Sequence, residues 1–239
     1  MRAVILAGGQ GRRLNPYTLV LPKPLVPIGD LPVIEIVVRQ LAHYGFERVT
    51  IAVGYHSELI MAVMGDGAKW GLNIDYSRED RPLNTVGPLR LIDGLNEPFL
   101  VMNGDLLTDL NYSELAAAHS RHGTILTIAS CKRRVKLQLG VISYATENNR
   151  SIITGYREKP AFEYEVSSGI YIFDPRIFDY IPEGQPFGFD ELMLRLLDEN
   201  EPAALYHFEG HWLDMGTPED LERANEEFMN YRQRYLPNE

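Results

Sequence analysis

The chain is 239 residues long (27.2 kDa), and its 23 Lys and Arg against 33 Asp and Glu leave a formal net charge of −10. That balance argues against nucleic-acid or anionic-membrane partners, which favour basic surfaces, while 45% hydrophobic residues supply a full core and exclude intrinsic disorder. The single Cys131 excludes an internal disulfide, and no apolar stretch approaches the roughly 20 residues needed to span a bilayer. No secretory leader opens the sequence, so a soluble cytoplasmic protein is the expectation.

Residues 3–7 form a short apolar run that predicts a strand buried on both faces. Gly8, Gly9 and Gly11 follow at once, then Arg12, Arg13 and Lys23; with Arg2, residues 1–25 hold four cations and no carboxylate. A glycine loop lets backbone N–H groups approach phosphate oxygens, and the cations supply the charge a polyphosphate needs. Pro22, Pro24 and Pro27 are expected to prevent helix formation and stiffen the segment carrying Lys23, reducing the entropy lost on binding.

Helical spacing (Val33, Ile36, Val37, Leu41, Tyr44) predicts a helix over 33–44 with a stop at Gly45. A strand over 49–53, a helix over 57–64, a helix over 86–95 with Pro88 in its first turn, and a strand over 99–102 follow. This alternation implies an α/β fold with a doubly wound, mostly parallel sheet and ligands at the carboxyl ends of its strands. The apolar run 124–131 makes Cys131 a small core residue. Strands over 140–144, 152–158 and 166–173 and helices over 189–199 and 218–235 give the second half an α+β character, on the same sheet or folded against it. The last helix presents an ordinary solvated face (Glu219, Asp220, Glu222, Arg223, Glu226, Glu227). Its Tyr231 and Tyr235, expected to be exposed, could pack on a second copy in a homodimer or cover their own domain.

The glycine loop is neither a P-loop, since no Lys-Ser or Lys-Thr follows, nor a dinucleotide fingerprint, since Leu14 takes the third glycine position and Asp30 precedes a helix rather than ending a strand. Two further sites end strand-like pieces: Asn103-Gly104-Asp105 and Trp212-Leu213-Asp214-Met215-Gly216-Thr217. Alone, each Asp is a common turn residue; together, two loop carboxylates suit Mg²⁺, which takes one or two carboxylates plus phosphate oxygens and water.

The run Gly8-Gly9-x-Gly11-x-Arg13-Leu14-x-Pro16 with Lys23-Pro24 and Pro27 resembles the N-terminal motif of the sugar-1-phosphate nucleotidyltransferase family. The Gly-Asp and Trp-x-Asp-x-Gly-Thr motifs, Glu158-Lys159-Pro160, and residues 81–89, which are similar to the family's Pro-Leu-Gly-Thr-Ala-Gly element, appear in the family's order. The resemblance covers nearly the whole chain. It implies a Rossmann-like, glycosyltransferase-A-type fold in one domain, 1–239, with a nucleotide half to about residue 110 and a sugar-phosphate half beyond it. It also implies an enzyme of nucleotide-sugar biosynthesis that joins a nucleoside triphosphate to a sugar 1-phosphate and releases pyrophosphate.

By the same resemblance, Arg13, Lys23 and Asp105 are catalytic, and Asp105 and Asp214 bind Mg²⁺. Leu6, Ala7, Gly8, Gly9, Gly11, Arg12, Arg13, Lys23, Asn84, Thr85, Gly87, Asn103 and Gly104 hold the nucleotide. Gly140, Glu158, Lys159, Ser168 and Gly169 hold the sugar phosphate. Arg12 stands where the family usually has Thr, Asn84 where it has Gly, and Ser167 where many members have Asn. The run 85–89 looks most like the mannose- or heptose-1-phosphate guanylyltransferase branch, which favours GTP. A thymidylyl-, uridylyl- or cytidylyltransferase, a non-sugar phosphate acceptor and a nucleotide-binding module without catalysis stay open. The sequence carries no left-handed β-helix repeats, so an attached acyltransferase or regulatory domain is not expected.

Overall fold

The computed structural model describes residues 1–237. Thirteen strands and five α-helices follow in chain order: β1 (Arg2–Ala7), β2 (Pro27–Ile28), β3 (Leu31–Pro32), α1 (Val33–His43), β4 (Arg48–Val53), α2 (Ser57–Met64), β5 (Asn73–Arg78), β6 (Phe99–Asn103), β7 (Leu106–Thr108), α3 (Tyr112–His122), β8 (Leu126–Lys136), β9 (Val141–Glu147), β10 (Arg150–Arg157), β11 (Ala161–Phe173), α4 (Phe189–Asp198), β12 (Ala203–His207), β13 (Trp212–Asp214) and α5 (Pro218–Tyr235). Seven strands form the central sheet in the order β12-β8-β11-β6-β1-β4-β5. Strands β6, β1, β4 and β5 pair in parallel, β12 and β8 pair in parallel, and β11 runs antiparallel to both β6 and β8. One reversed strand in seven makes the sheet mixed and mostly parallel, as expected.

The strands are continuously apolar because both faces of the sheet are covered. From β1, Ala3 and Ile5 pack with Ile34, Val37 and Leu41 of α1 and Leu115 of α3, while Val4 packs with Leu89, Phe99 and Leu192 on the other side. A third cluster seats Ala224, Phe228 and Tyr235 of α5 on Ile28, Val33 and Ile36. Tyr235 is therefore buried, contrary to the exposure expected of it: its ring lies against Phe228 and its hydroxyl donates to Glu227. Tyr231 is exposed, at a break in the helical backbone. Cys131 is buried, in agreement with a core role.

Two expectations about local structure fail for identifiable reasons. The helix predicted over 86–95 is a short 3₁₀ segment, Gly87–Leu91. Pro88 has no donor, and the amides of Val86 and Gly87 both donate to the Phe187 carbonyl at 3.0 Å, which fixes the segment in another register. Conversely, the prolines around Lys23 do not forbid helix: Lys23–Leu25 is a single 3₁₀ turn, with Pro24 where no donor is required.

The second half of β8 and the first half of β11 run past the central sheet as a two-stranded ribbon. Leu137 N donates to Pro160 O at 3.0 Å, and the antiparallel β9–β10 hairpin continues the arm. Because β8 runs with β1 and β6, the arm leaves from the carboxyl edge of the parallel strands. The site opens on that same edge.

Candidate active site

A cleft of about 1060 Å³ lies at the carboxyl ends of β1, β4, β5 and β6. Of the expected residues it gathers Leu6, Ala7, Gly8, Gly9, Gly11, Arg12, Arg13, Lys23, Asn84, Thr85, Asn103 and Asp105. The glycine loop has its shape for steric reasons. Gly11 sits at φ +60°, and a Cβ there would lie 3.0 Å from both Lys23 Cβ and Thr18 Cγ2. Its carbonyl accepts from Leu14 N and Thr18 Oγ1, each at 2.9 Å. Leu14, fully buried, pins the following 3₁₀ turn and so fixes where Arg12 and Arg13 emerge. Arg12 donates to Gln10 Oε1 at 2.8 Å, and the Arg13 guanidinium lies beside Gly216.

Four charges converge at the loop. Lys23 Nζ pairs with Asp105 Oδ2 and stands 3.7 Å from Asp214 Oδ1. Backbone pairing brings the carboxylates together: β13 lies antiparallel to β7, with Asp214 opposite Leu106, and Met215 N donates to Asp105 O at 3.4 Å. Burial pushes the Asp214 carboxyl above its ordinary range and the Asp105 charge adds to this, while Lys23 and Arg13 pull it back. Two neighbouring half-buried carboxylates, one of them disfavoured in its charged form, are a donor set that fits a divalent cation. Among the described residues no group of three or more His, Cys, Asp or Glu assembles. The pair alone suits Mg²⁺, which completes its shell with phosphate oxygens and water.

Several expected contacts have structural duties. Gly104 N donates to Leu6 O, and a Cβ on Gly104 would press on Ile5 and that carbonyl; Gly87 packs under Gln185 O. Thr85 Oγ1 accepts from Phe189 N at 2.9 Å and ties its loop to α4. Asn84 adopts φ +62°, the left-handed region that Asn tolerates better than other side chains, so this departure keeps the backbone shape a glycine would give.

The acceptor-side residues lie outside the cleft lining. Glu158 and Lys159 stand exposed on the arm, Lys159 Nζ 4.0 Å from Glu158 Oε1, and Tyr156 OH donates to Glu158 Oε2 at 2.5 Å. A side chain at Gly140 would overlap the Tyr156 ring. The Ser168 hydroxyl is buried and donates to Ala129 O at 2.8 Å, so only its backbone is left for a ligand; its carbonyl accepts from Trp212 Nε1 at 2.7 Å. The departure at Ser167 puts a hydroxyl 3.1 Å from Tyr171 OH. Gly169, at φ +75°, would bring a Cβ within 2.7 Å of Asn103 Nδ2, and there the arm's root touches the cleft. Gly169→Ala should lower the unfolding free energy by about 1–3 kcal/mol in urea titrations; unchanged stability would mean that this backbone is not constrained.

The sequence reading missed Glu79, Gly54 and Tyr55, all of which line the cleft. Glu79 Oε1 lies between Gly8 and Gly54, where a Cβ on either glycine would approach it to 2.5 and 2.7 Å. Its Oε2 accepts from Leu83 N at 2.9 Å, and burial raises its carboxyl above the usual range. The spacing of Gly8, Gly54 and Glu79 gave no linear signal, because three separate strands bring them together.

The nucleotidyl transferase family model matches residues 2–230. Mannose-1-phosphate guanyltransferase of Saccharomyces cerevisiae is 36% identical over 231 residues, covering 92% of this chain and 63% of that protein. UTP–glucose-1-phosphate uridylyltransferase of Synechocystis sp. is 34% identical over 245 residues, covering 94% and 62%. The chain thus spans less than two thirds of the length of these relatives. Among solved structures, HddC from Yersinia pseudotuberculosis superposes with a TM-score of 0.72 at 25% identity, over 95% of this chain and 99% of that one. HddC complexed with GMP-PN gives a TM-score of 0.72 at 24% identity, a likeness of fold.

Proposed function

This chain belongs to the nucleotidyl transferase family, and from that membership and its cleft we propose that it joins a nucleoside triphosphate to a sugar 1-phosphate. The acceptor phosphate oxygen attacks the α-phosphorus in line, the α–β bridge bond breaks, and pyrophosphate leaves. The observation that carries this reading is the convergence of Arg13, Lys23, Asp105 and Asp214 at the mouth of the glycine loop. The amides of residues 8–11, with Arg12, Arg13 and Lys23, stabilise the charge that grows on the leaving pyrophosphate. Asp105 and Asp214 would hold Mg²⁺, which when bound neutralises phosphate oxygens. The acceptor is already a competent nucleophile, so positioning supplies the rate without a covalent enzyme intermediate. Lys159, Glu158 and Gly140 on the arm, with Gly169 and the Ser168 backbone at its root, receive the sugar phosphate. Residues 1–239 then work as one domain, nucleotide half first.

We favour GTP, with a mannose- or heptose-type acceptor. Glu79 supports the base: its carboxylate lines the cleft and keeps acceptor lone pairs beyond the one Oε2 gives to Leu83 N, and guanine alone presents adjacent N1–H and N2–H₂ donors on one edge. Glu79→Gln should lower kcat/KM for GTP about tenfold, within the 1–3 kcal/mol of a bidentate base contact, with less effect on UTP. An unchanged GTP-to-UTP ratio would take Glu79 off the base. The 34% identical uridylyltransferase keeps a uridylyl reading as the second choice. Pyrophosphate release with Mg²⁺ across GTP, CTP, UTP, dTTP and ATP, each paired with glucose, mannose and heptose 1-phosphates, tests both halves. Silence across that panel with triphosphate binding intact would favour a non-sugar acceptor or a binding module. No helix among the described residues is long and apolar enough to cross a membrane.

A further inference from the structure

Lys23 already has two anionic partners within the protein. Its ammonium bridges Asp105 and Asp214, and the side chains of the trio are 11%, 21% and 41% exposed, so water screens them only in part. The two carboxylates spring from backbone held together by the β7–β13 rung and the Met215–Asp105 bond. The Lys23 backbone is held too, since its turn lies between Pro22 and Pro24 and its stem lies against Gly11. A cation has to stand between the acids, and the Lys23 ammonium stands there.

Catalysis asks for different partners: the ammonium on the triphosphate and a divalent ion on the acids. A metal ion arriving alone must displace Lys23 from the acids, in a site that also holds the Arg13 charge, with no anion to receive it. A triphosphate arriving alone draws Lys23 away and leaves two carboxylates unpaired beside a polyanion, which is costly for half-buried charges. When both arrive together, each charge exchanges one partner for another. We infer that Lys23 is the resident counter-ion of the metal site, and that its exchange makes metal and triphosphate binding mutually dependent. This rests on the reading above, in which Asp105 and Asp214 take the metal and Lys23 the triphosphate.

The coupling is a free energy between two ligands and is therefore reciprocal. Mn²⁺, whose free aquo form is counted directly by electron paramagnetic resonance, is the probe. Without nucleotide, Lys23→Met should bind Mn²⁺ about tenfold more tightly than the parent, a coupling in the ordinary 1–3 kcal/mol range. Adding α,β-methylene-GTP, which cannot transfer, should tighten Mn²⁺ binding strongly in the parent and weakly in the variant. Equal Mn²⁺ affinities without nucleotide would overturn the counter-ion role while leaving the metal site standing. No Mn²⁺ binding to the parent even with the analogue would overturn the metal reading itself, and this inference with it. A second measurement needs no variant. In the parent, the ¹⁵N resonance of the Lys23 ammonium should hold its position with millimolar Mg²⁺ alone and move when the analogue is added with it. Movement with Mg²⁺ alone would overturn the exchange.

Discussion

Asp105→Asn is expected to lower pyrophosphate release about a thousandfold, with the fold intact. The substitution keeps the volume and the backbone bonds of a residue placed just after β6, so the packing of β1 against β6 through Gly104 is unaffected. It removes one of two anionic donors, and a carboxamide is a poor ligand for Mg²⁺, which asks for hard anionic oxygen. Losing metal-assisted charge neutralisation costs several kcal/mol in the transition state, and about 4 kcal/mol is a factor of a thousand. The binding of triphosphate should change little, because Arg12, Arg13 and the glycine loop stay in place and Lys23 loses a competing partner. The effect should therefore fall on kcat, with the KM for triphosphate within about threefold of the parent by that reasoning. Asp214→Asn should behave alike, since both carboxylates face one ammonium. Turnover of Asp105→Asn within threefold of the parent would remove the metal from this site.

What could be read from the sequence depended on how each element is buried. The doubly wound sheet was legible because β1, β4 and β6 are buried on both faces and write continuous apolar runs, and the glycines after β1 are needed by the loop itself. Strand β5 was not legible: only Ile74 of its side chains is fully buried, and Asp75 within it is balanced by Arg2 and Arg48 rather than packed. Glu79 follows that strand, so missing the strand meant missing the residue that faces the base in the proposed function. The start of the arm was passed over although it carries a signal: in β11, Phe162, Tyr164 and Val166 alternate with Glu163 and Glu165, and the ladder sets Glu165 opposite Lys132 and Glu163 opposite Arg134. Helix α3 has an Asn111 cap that accepts from Ser113 and Glu114 amides, but its apolar face is short and rich in alanine. At Ser168 the irregularity of β11 between Ser167 and Tyr171 turns the hydroxyl into the core, where it donates to Ala129 O, and no linear pattern reports a bulge.

Lys159→Ala is expected to lower kcat/KM for the sugar 1-phosphate about a hundredfold, through KM, with the KM for triphosphate nearly unchanged. The proposed reaction brings two anions together, and in it the cations of the glycine loop serve one of them. The acceptor phosphate needs its own, in a chain whose net charge of −10 repels it. Lys159 suits that duty by position and by freedom. It sits at the base of the β9–β10 hairpin, beside the Pro160 carbonyl that closes the ribbon, with its backbone held at φ +43°. Its ammonium is more than half exposed and stands 4.0 Å from Glu158, an exposed pair worth at most about 1 kcal/mol. Little is lost when a phosphate dianion takes Glu158's place. A charge-assisted contact to that phosphate contributes about 1.5–3 kcal/mol, the upper part of which is a hundredfold. Lys159→Arg should retain much of the parent's affinity, because a guanidinium also pairs with phosphate, and that rescue separates a charge role from a folding defect in the hairpin. A rise in the triphosphate KM larger than that for the sugar phosphate would place Lys159 on the nucleotide and leave the acceptor phosphate to another arm cation, with Arg133, whose guanidinium lies 5.4 Å over the Trp212 ring, the next to test.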